Sequence, residues 1–93
     1  QQQQKRQLEA ALLAAKDKYK TLQQRQILLK EQYEVSQQYV SMQQRSFDMG
    51  GIDLTTFLRS QEVADKHRHQ LLQLEIEIQQ QISMINQIAG RNL

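Results

Sequence analysis

At 93 residues the chain has the length of one small domain, yet only 5% of it is aromatic, twenty positions are glutamine and the mean hydropathy is −0.73. That leaves too few large apolar side chains for a thick core. Net charge is +2 with both signs interspersed, so the basic clusters that mark nucleic-acid-binding arms are missing. Cysteine is absent, which removes disulfides and thiolate metal sites. No apolar run approaches the roughly 18 residues that a membrane-spanning helix needs, and no signal peptide is visible.

The opening Gln1–Gln4 starts abruptly, as an excised segment would. From about Lys5 to Phe47 the spacing predicts one helix, about 65 Å long at a rise of about 1.5 Å per residue. Its seam alternates steps of four and three: Leu8, Leu12, Ala15, Tyr19, Leu22, Gln26, Leu29, Tyr33, Ser36, Val40, Gln43 and Phe47. Nine of these twelve are apolar or tyrosine, a strong heptad signal. A second stripe lies beside it at Leu28, Val35, Tyr39, Met42 and Met49. One seam serves a two-stranded pairing, whereas two adjacent stripes belong to a helix with neighbours on two sides.

The periodicity breaks once, at Phe47-Asp48-Met49-Gly50-Gly51-Ile52-Asp53-Leu54. Two of the three glycines fall there and the chain has no proline. Glycine reaches φ > 0 without steric cost, and Asp53 is a good N-cap for a second helix. A tight turn over about 48–53 therefore folds two long helices back on each other, and the expected fold is an all-α antiparallel helical hairpin.

The second helix is expected from about Leu54 to Ala89, with a seam at Leu54, Phe57, Gln61, Ala64, Arg68, Leu71, Glu75, Ile78, Ile82, Ile85 and Ala89. Leu58, Leu72, Leu74, Ile76 and Ile88 lie to either side. Its middle, Gln61 to Gln70, is strongly polar, and its last third is rich in isoleucine. Glu62 and Lys66 form a favourably oriented i,i+4 pair. Gly90 fits a C′ glycine, with Arg91-Asn92-Leu93 as a frayed tail. Two such helices touch along a single seam and leave apolar surface wet, so further packing is expected: a dimer forming a four-helix bundle through Leu29, Val40, Leu71 and Ile78.

Nothing in the chain points to an enzyme, a cofactor or a metal. His67 and His69, at i,i+2 on a helix, point about 200° apart and cannot chelate one ion together; they read as solvated surface residues. The acidic residues are scattered, without a base beside them. Gly50-Gly51 lacks the strand and the Gly-Lys-Ser/Thr of a phosphate loop. Tyr19, Tyr33 and Tyr39 sit on or beside the seam and read as packing residues, not as platforms for bases.

With its flanks, the turn reads Arg45-Ser46-Phe47-Asp48-Met49-Gly50-Gly51-Ile52-Asp53-Leu54-Thr55-Thr56-Phe57-Leu58-Arg59-Ser60-Gln61. This resembles the periplasmic hairpin tip of the TolC-type outer membrane efflux channels. Phe47 matches the recurring aromatic, Gly50 the glycine, Ile52 and Leu54 the turn aliphatics, and Phe57-Leu58-Arg59-Ser60-Gln61 the closing string. Ile85-Asn86-Gln87-Ile88-Ala89-Gly90 is similar to the family's Leu-x-x-Ala-Leu-Gly finish. The resemblance covers residues 40–93; the earlier part matches in texture.

The resemblance implies one hairpin of a trimeric channel in which helical hairpins form a twelve-helix periplasmic tube below an outer membrane β-barrel. The chain would then be periplasmic, take no direct part in membrane insertion and serve passive export. Its partner would be a periplasmic adaptor docked at the tip, here Gly50, Gly51, Ile52, Asp53, Leu54 and Thr55. Many relatives carry acidic residues at the positions of Thr56 and Arg59, where they line the channel entrance; this chain carries a hydroxyl and a positive charge, with Arg59 able to pair with Asp53 or Asp48. Two other readings stay open: the hairpin of the adaptor itself, whose tip pattern Arg45 and Met49 fit in part, and a coiled-coil scaffold with no special role for the glycines.

Overall fold

The computed structural model describes residues 2–91, which form two α-helices: α1, Gln2–Asp48, and α2, Leu54–Arg91. The fold is an all-α antiparallel hairpin. Three contacts between residues far apart in sequence carry it: the ring of Phe47 on that of Phe57, Ser36 with His67, and Gln81 with Ala15. The packing divides into two compact units. One is the tip unit, Ile27–Gln73. The other, the base unit, is formed by Gln1–Gln26 and Leu74–Leu93.

Glutamine-rich helices of this kind are sustained partly by their own side chains. Each of the three tyrosines accepts a hydrogen bond from the glutamine four residues on: Gln23 Nε2 to Tyr19 at 3.0 Å, Gln37 Nε2 to Tyr33 at 2.8 Å, Gln43 Nε2 to Tyr39 at 2.8 Å. Gln44 likewise donates to Asp48 Oδ1 at 3.0 Å. Such i,i+4 links each add a few tenths of a kcal/mol, about 0.2–0.5, to an exposed helix. Tyr19 and Tyr33 are half-buried and Tyr39 is exposed.

The seam of α1 is the predicted one at all twelve positions. Ala15, Leu22 and Ser36 are buried, the other nine are half-buried, and none is exposed. The seam of α2 differs from expectation at alternate positions. Phe57, Ala64, Leu71, Ile78 and Ile85 lie where predicted. Between them the packed residues are Ser60, His67, Leu74, Gln81 and Ile88, one residue before Gln61, Arg68, Glu75, Ile82 and Ala89. Glu75 and Ile82 are themselves half-buried, whereas Gln61, Arg68, Ala89 and the predicted first seam residue Leu54 are exposed.

At three of the five shifted positions the packed residue is polar and its hydrogen bonding is met. His67 is not a solvated surface residue, as the sequence suggested. It is half-buried, and its Nδ1 lies 2.5 Å from Ser36 Oγ. The Ser36 hydroxyl also donates to the Gln32 carbonyl at 2.9 Å. A hydroxyl has one proton, so the arrangement that satisfies both contacts has the His67 Nδ1–H donating to Ser36. Ser60 satisfies its buried hydroxyl on the Phe57 carbonyl at 2.6 Å, and buried Gln81 donates to the Ala15 carbonyl at 2.9 Å. Polar residues can therefore occupy the seam without an unmet hydrogen bond. Among the described residues no buried side-chain nitrogen or oxygen lacks a partner. His69 is exposed.

One further expectation is corrected. Gly90 does not end α2: the helix continues through it to Arg91, and Gly50 is the one described glycine with positive φ. Asn92 and Leu93 lie outside the described residues. Leu29, Val40, Leu71 and Ile78 belong to the seam inside the hairpin, where Leu71 and Ile78 are buried and Leu29 and Val40 half-buried.

Candidate docking tip and exposed stripe

The tip is built from its backbone outward. Past the end of α1 at Asp48, Met49 N–H still donates to the Arg45 carbonyl at 3.1 Å. Gly50 then turns to φ 76°. Its N–H donates to Phe47 O at 3.0 Å, and Gly51 N–H donates to Ser46 O at 2.7 Å. These two bonds, with a left-handed residue between them, are the Schellman closure of a helix C-terminus. The two glycines are needed for different reasons. Gly50 supplies the left-handed backbone that an L side chain adopts only with strain, although nothing lies within 4 Å of where its Cβ would stand. Gly51 does not have positive φ; a Cβ there would lie 3.3 Å from the Ser46 carbonyl oxygen.

α2 starts as cleanly as α1 stops. Asp53 Oδ1 accepts the Thr56 N–H at 2.8 Å, and Asp53 O accepts the Phe57 N–H at 3.2 Å. This is the predicted N-cap. Hydrogen bonding by Thr56 chiefly holds the Asp53 carboxyl below its ordinary value, against an opposing desolvation, with the Arg59 charge a lesser aid. Below the turn the two phenyl rings stack at 5.5 Å between centroids and 12° between planes. Phe57 is buried and Phe47 half-buried.

The sequence-derived tip residues are distributed as expected for a turn open to solvent. Gly50, Gly51, Asp53, Leu54 and Thr55 are exposed, and Ile52 is half-buried. Thr56 and Arg59 are exposed too, but they are not idle: Thr56 is the partner of the cap, and Arg59 acts as a positive charge on Asp53. Asp48 is taken instead by Gln44. Two apolar residues beside the turn also reach water, Met49 and Leu58. The result is a short connection closed by its own backbone bonds, whose outward surface sets Met49, Leu54 and Leu58 among Asp53, Thr55, Thr56 and Arg59.

The second predicted stripe on α1 is also open. Leu28, Val35, Tyr39, Met42 and Met49 are 55, 63, 51, 61 and 83% exposed. A shallow groove of about 410 Å³ runs beside it, lined by Leu28, Glu31, Gln32, Val35, Ser36 and His67. Sequence reasoning missed His67 here, because its partner Ser36 is 31 residues away and no local pattern announces the pair. Among the described residues there is no cluster of three His, Cys, Asp or Glu able to hold a metal ion, and no helix long and apolar enough to cross a membrane. Compared with protein families, with curated proteins and with solved structures, the chain matches none.

Proposed function

We propose that this chain is a periplasmic hairpin of a trimeric, TolC-type outer membrane efflux channel, a wall segment of a passive export conduit whose tip docks a periplasmic adaptor. The observation that carries the reading is the tip: a turn closed by its own hydrogen bonds that presents Met49, Leu54 and Leu58 to water beside exposed Thr55. Exposed apolar side chains on a preorganised turn are what a protein partner can bury at little ordering cost. The open stripe on α1 supports the same reading, since each helix of a tube wall needs a neighbour on both sides. The motif Phe47-x-x-Gly50 also acquires a physical meaning, an aromatic stack followed by a left-handed closure.

In the complete channel, Leu54→Asp is expected to leave trimer formation intact while weakening adaptor binding about tenfold or more, as loss of a central apolar contact does. Unchanged adaptor binding by this variant would contradict the reading. The entrance chemistry follows from Thr56 and Arg59. With a hydroxyl and a guanidinium at these positions, and Arg59 beside Asp53, the entrance has no acidic ring. Single-channel recording is expected to show weak cation preference; strong cation selectivity abolished by mutating Arg59 would contradict it.

A further inference from the structure

The open stripe on α1 is self-complementary, and we infer that two copies of this hairpin pair through it, antiparallel, about a two-fold axis near Tyr39. The inference concerns the hairpin alone and stands whether or not the channel reading holds. In a tube an adjoining helix would cover the stripe; without one, the partner of matching chemistry is a second copy.

The spacing comes first. Leu28, Val35, Met42 and Met49 follow one another at intervals of seven, so they form a line along one side of α1, with Tyr39 beside it. A line of apolar residues repeating every seven residues matches the surface of another helix running along it. All five are more than half exposed, so the hairpin itself does not use them.

The symmetry comes second. If one α1 lies antiparallel on another, Leu28 meets Met49 of the second copy and Val35 meets Met42. The stripe is thus aligned with its own image. Tyr39 falls at the centre, as an interface made of one patch on both subunits requires.

The charges come third and favour the antiparallel direction. On the flank of the stripe turned away from the seam stand Glu31, Gln38 and Arg45, again seven apart. The register that aligns the apolar residues sets Glu31 of each copy beside Arg45 of the other and Gln38 beside Gln38. A parallel pairing would set this flank of one copy on the far side from the same flank of the other, so Glu31 and Arg45 would not meet across it.

Sedimentation equilibrium of the chain tests this, with circular dichroism to confirm that each variant keeps its helices. The wild type is expected to be a dimer, and V35E/M42E a helical monomer, because both substitutions fall on exposed positions. Glu31→Arg or Arg45→Glu alone is expected to weaken dimerisation about tenfold, and the combined swap to restore it, since two flanking pairs are reversed together. Spin labels at position 38 are expected within about 20 Å of each other in the dimer, and labels at position 24 about 40 Å apart, from about 28 residues of offset at about 1.5 Å each. A helical wild-type monomer at high concentration would overturn the inference, as would short distances at both label positions or a double swap that does not restore the dimer.

Discussion

The two units solve the same packing problem with different materials. In the base unit, α1 contributes Leu8, Leu12, Ala15, Tyr19, Leu22 and half-buried Gln26 to the seam, and α2 contributes Leu74, Ile78, Gln81, Ile82, Ile85 and Ile88. This is mostly aliphatic burial, with one buried glutamine tied to a carbonyl. In the tip unit the seam residues include Ser36, Gln43, Ser60, Ala64 and His67, and the apolar weight rests on the Phe47–Phe57 stack, Leu29, Val40 and Leu71. The base is held by area; the tip is held by geometry, through a glycine closure, a cap, a ring stack and a Ser–His contact. An aliphatic seam tolerates changes of shape that a geometric one does not.

The largest effects are expected where the packed side chains are biggest. Leu22→Ala in the base and Phe57→Ala at the tip should each cost about 3 kcal/mol, read as loss of denaturant midpoint by circular dichroism. Conservative repacking separates the units: Leu22→Met should be nearly silent, whereas Phe57→Leu should lose the stack and still destabilise measurably. Equal tolerance at both positions would erase the distinction.

Next come the glycines. Gly50→Ala should cost about 1 kcal/mol, because the left-handed backbone penalises any Cβ. Gly51→Ala should cost less, since the Ser46 carbonyl need give by only a few tenths of an ångström. A continuous helix through 48–53 would instead be stabilised by both changes. Ser36→Ala should come after these at about 1 kcal/mol or below, by leaving the His67 Nδ1–H to find water at a half-buried site. Ser36→Thr, which keeps the hydroxyl, should recover part of the loss.

The smallest effect is the pH dependence of the cap. The folded Asp53 carboxyl titrates below its ordinary value, so its contribution is fully present above the usual carboxylate range. It is lost as pH falls through the depressed folded value. The acid limb of a thermal-unfolding profile should therefore be shallower in Asp53→Asn than in the wild type, by a small amount because the cap is fully exposed. Identical acid limbs would mean that the cap contributes nothing to the tip.

Much of this could be read from the residues alone. In α1 the apolar period marked every packed position but Ser46, because the seam there is mostly leucine, tyrosine and valine. In α2 the same search went one residue astray at every second position. It preferred Ile82 to Gln81 and found no reason to choose Ser60 over Gln61 or His67 over Arg68. Those choices are made by Ala15 and Ser36 on the other helix, and by the Phe57 carbonyl in the preceding turn. The turn was legible at Gly50 and Asp53, where local backbone chemistry decides. It was less so at Gly51, whose constraint is a carbonyl of the preceding helix. Gly90 misled for the converse reason: a glycine after an alanine looks like a helix end, yet a helix interior accepts it at a cost of about 1 kcal/mol.

Both the turn and the open stripe depend on Gly50 and Asp53 folding α1 back along α2, in the register that sets Ser36 against His67. The distance between spin labels at positions 30 and 70, both exposed, reports on that fold in a sample diluted with excess unlabelled chain. The hairpin predicts a narrow distribution at about 10–20 Å. A separation near 60 Å, the span of about 40 helical residues at about 1.5 Å each, would mean one unbroken helix and no hairpin.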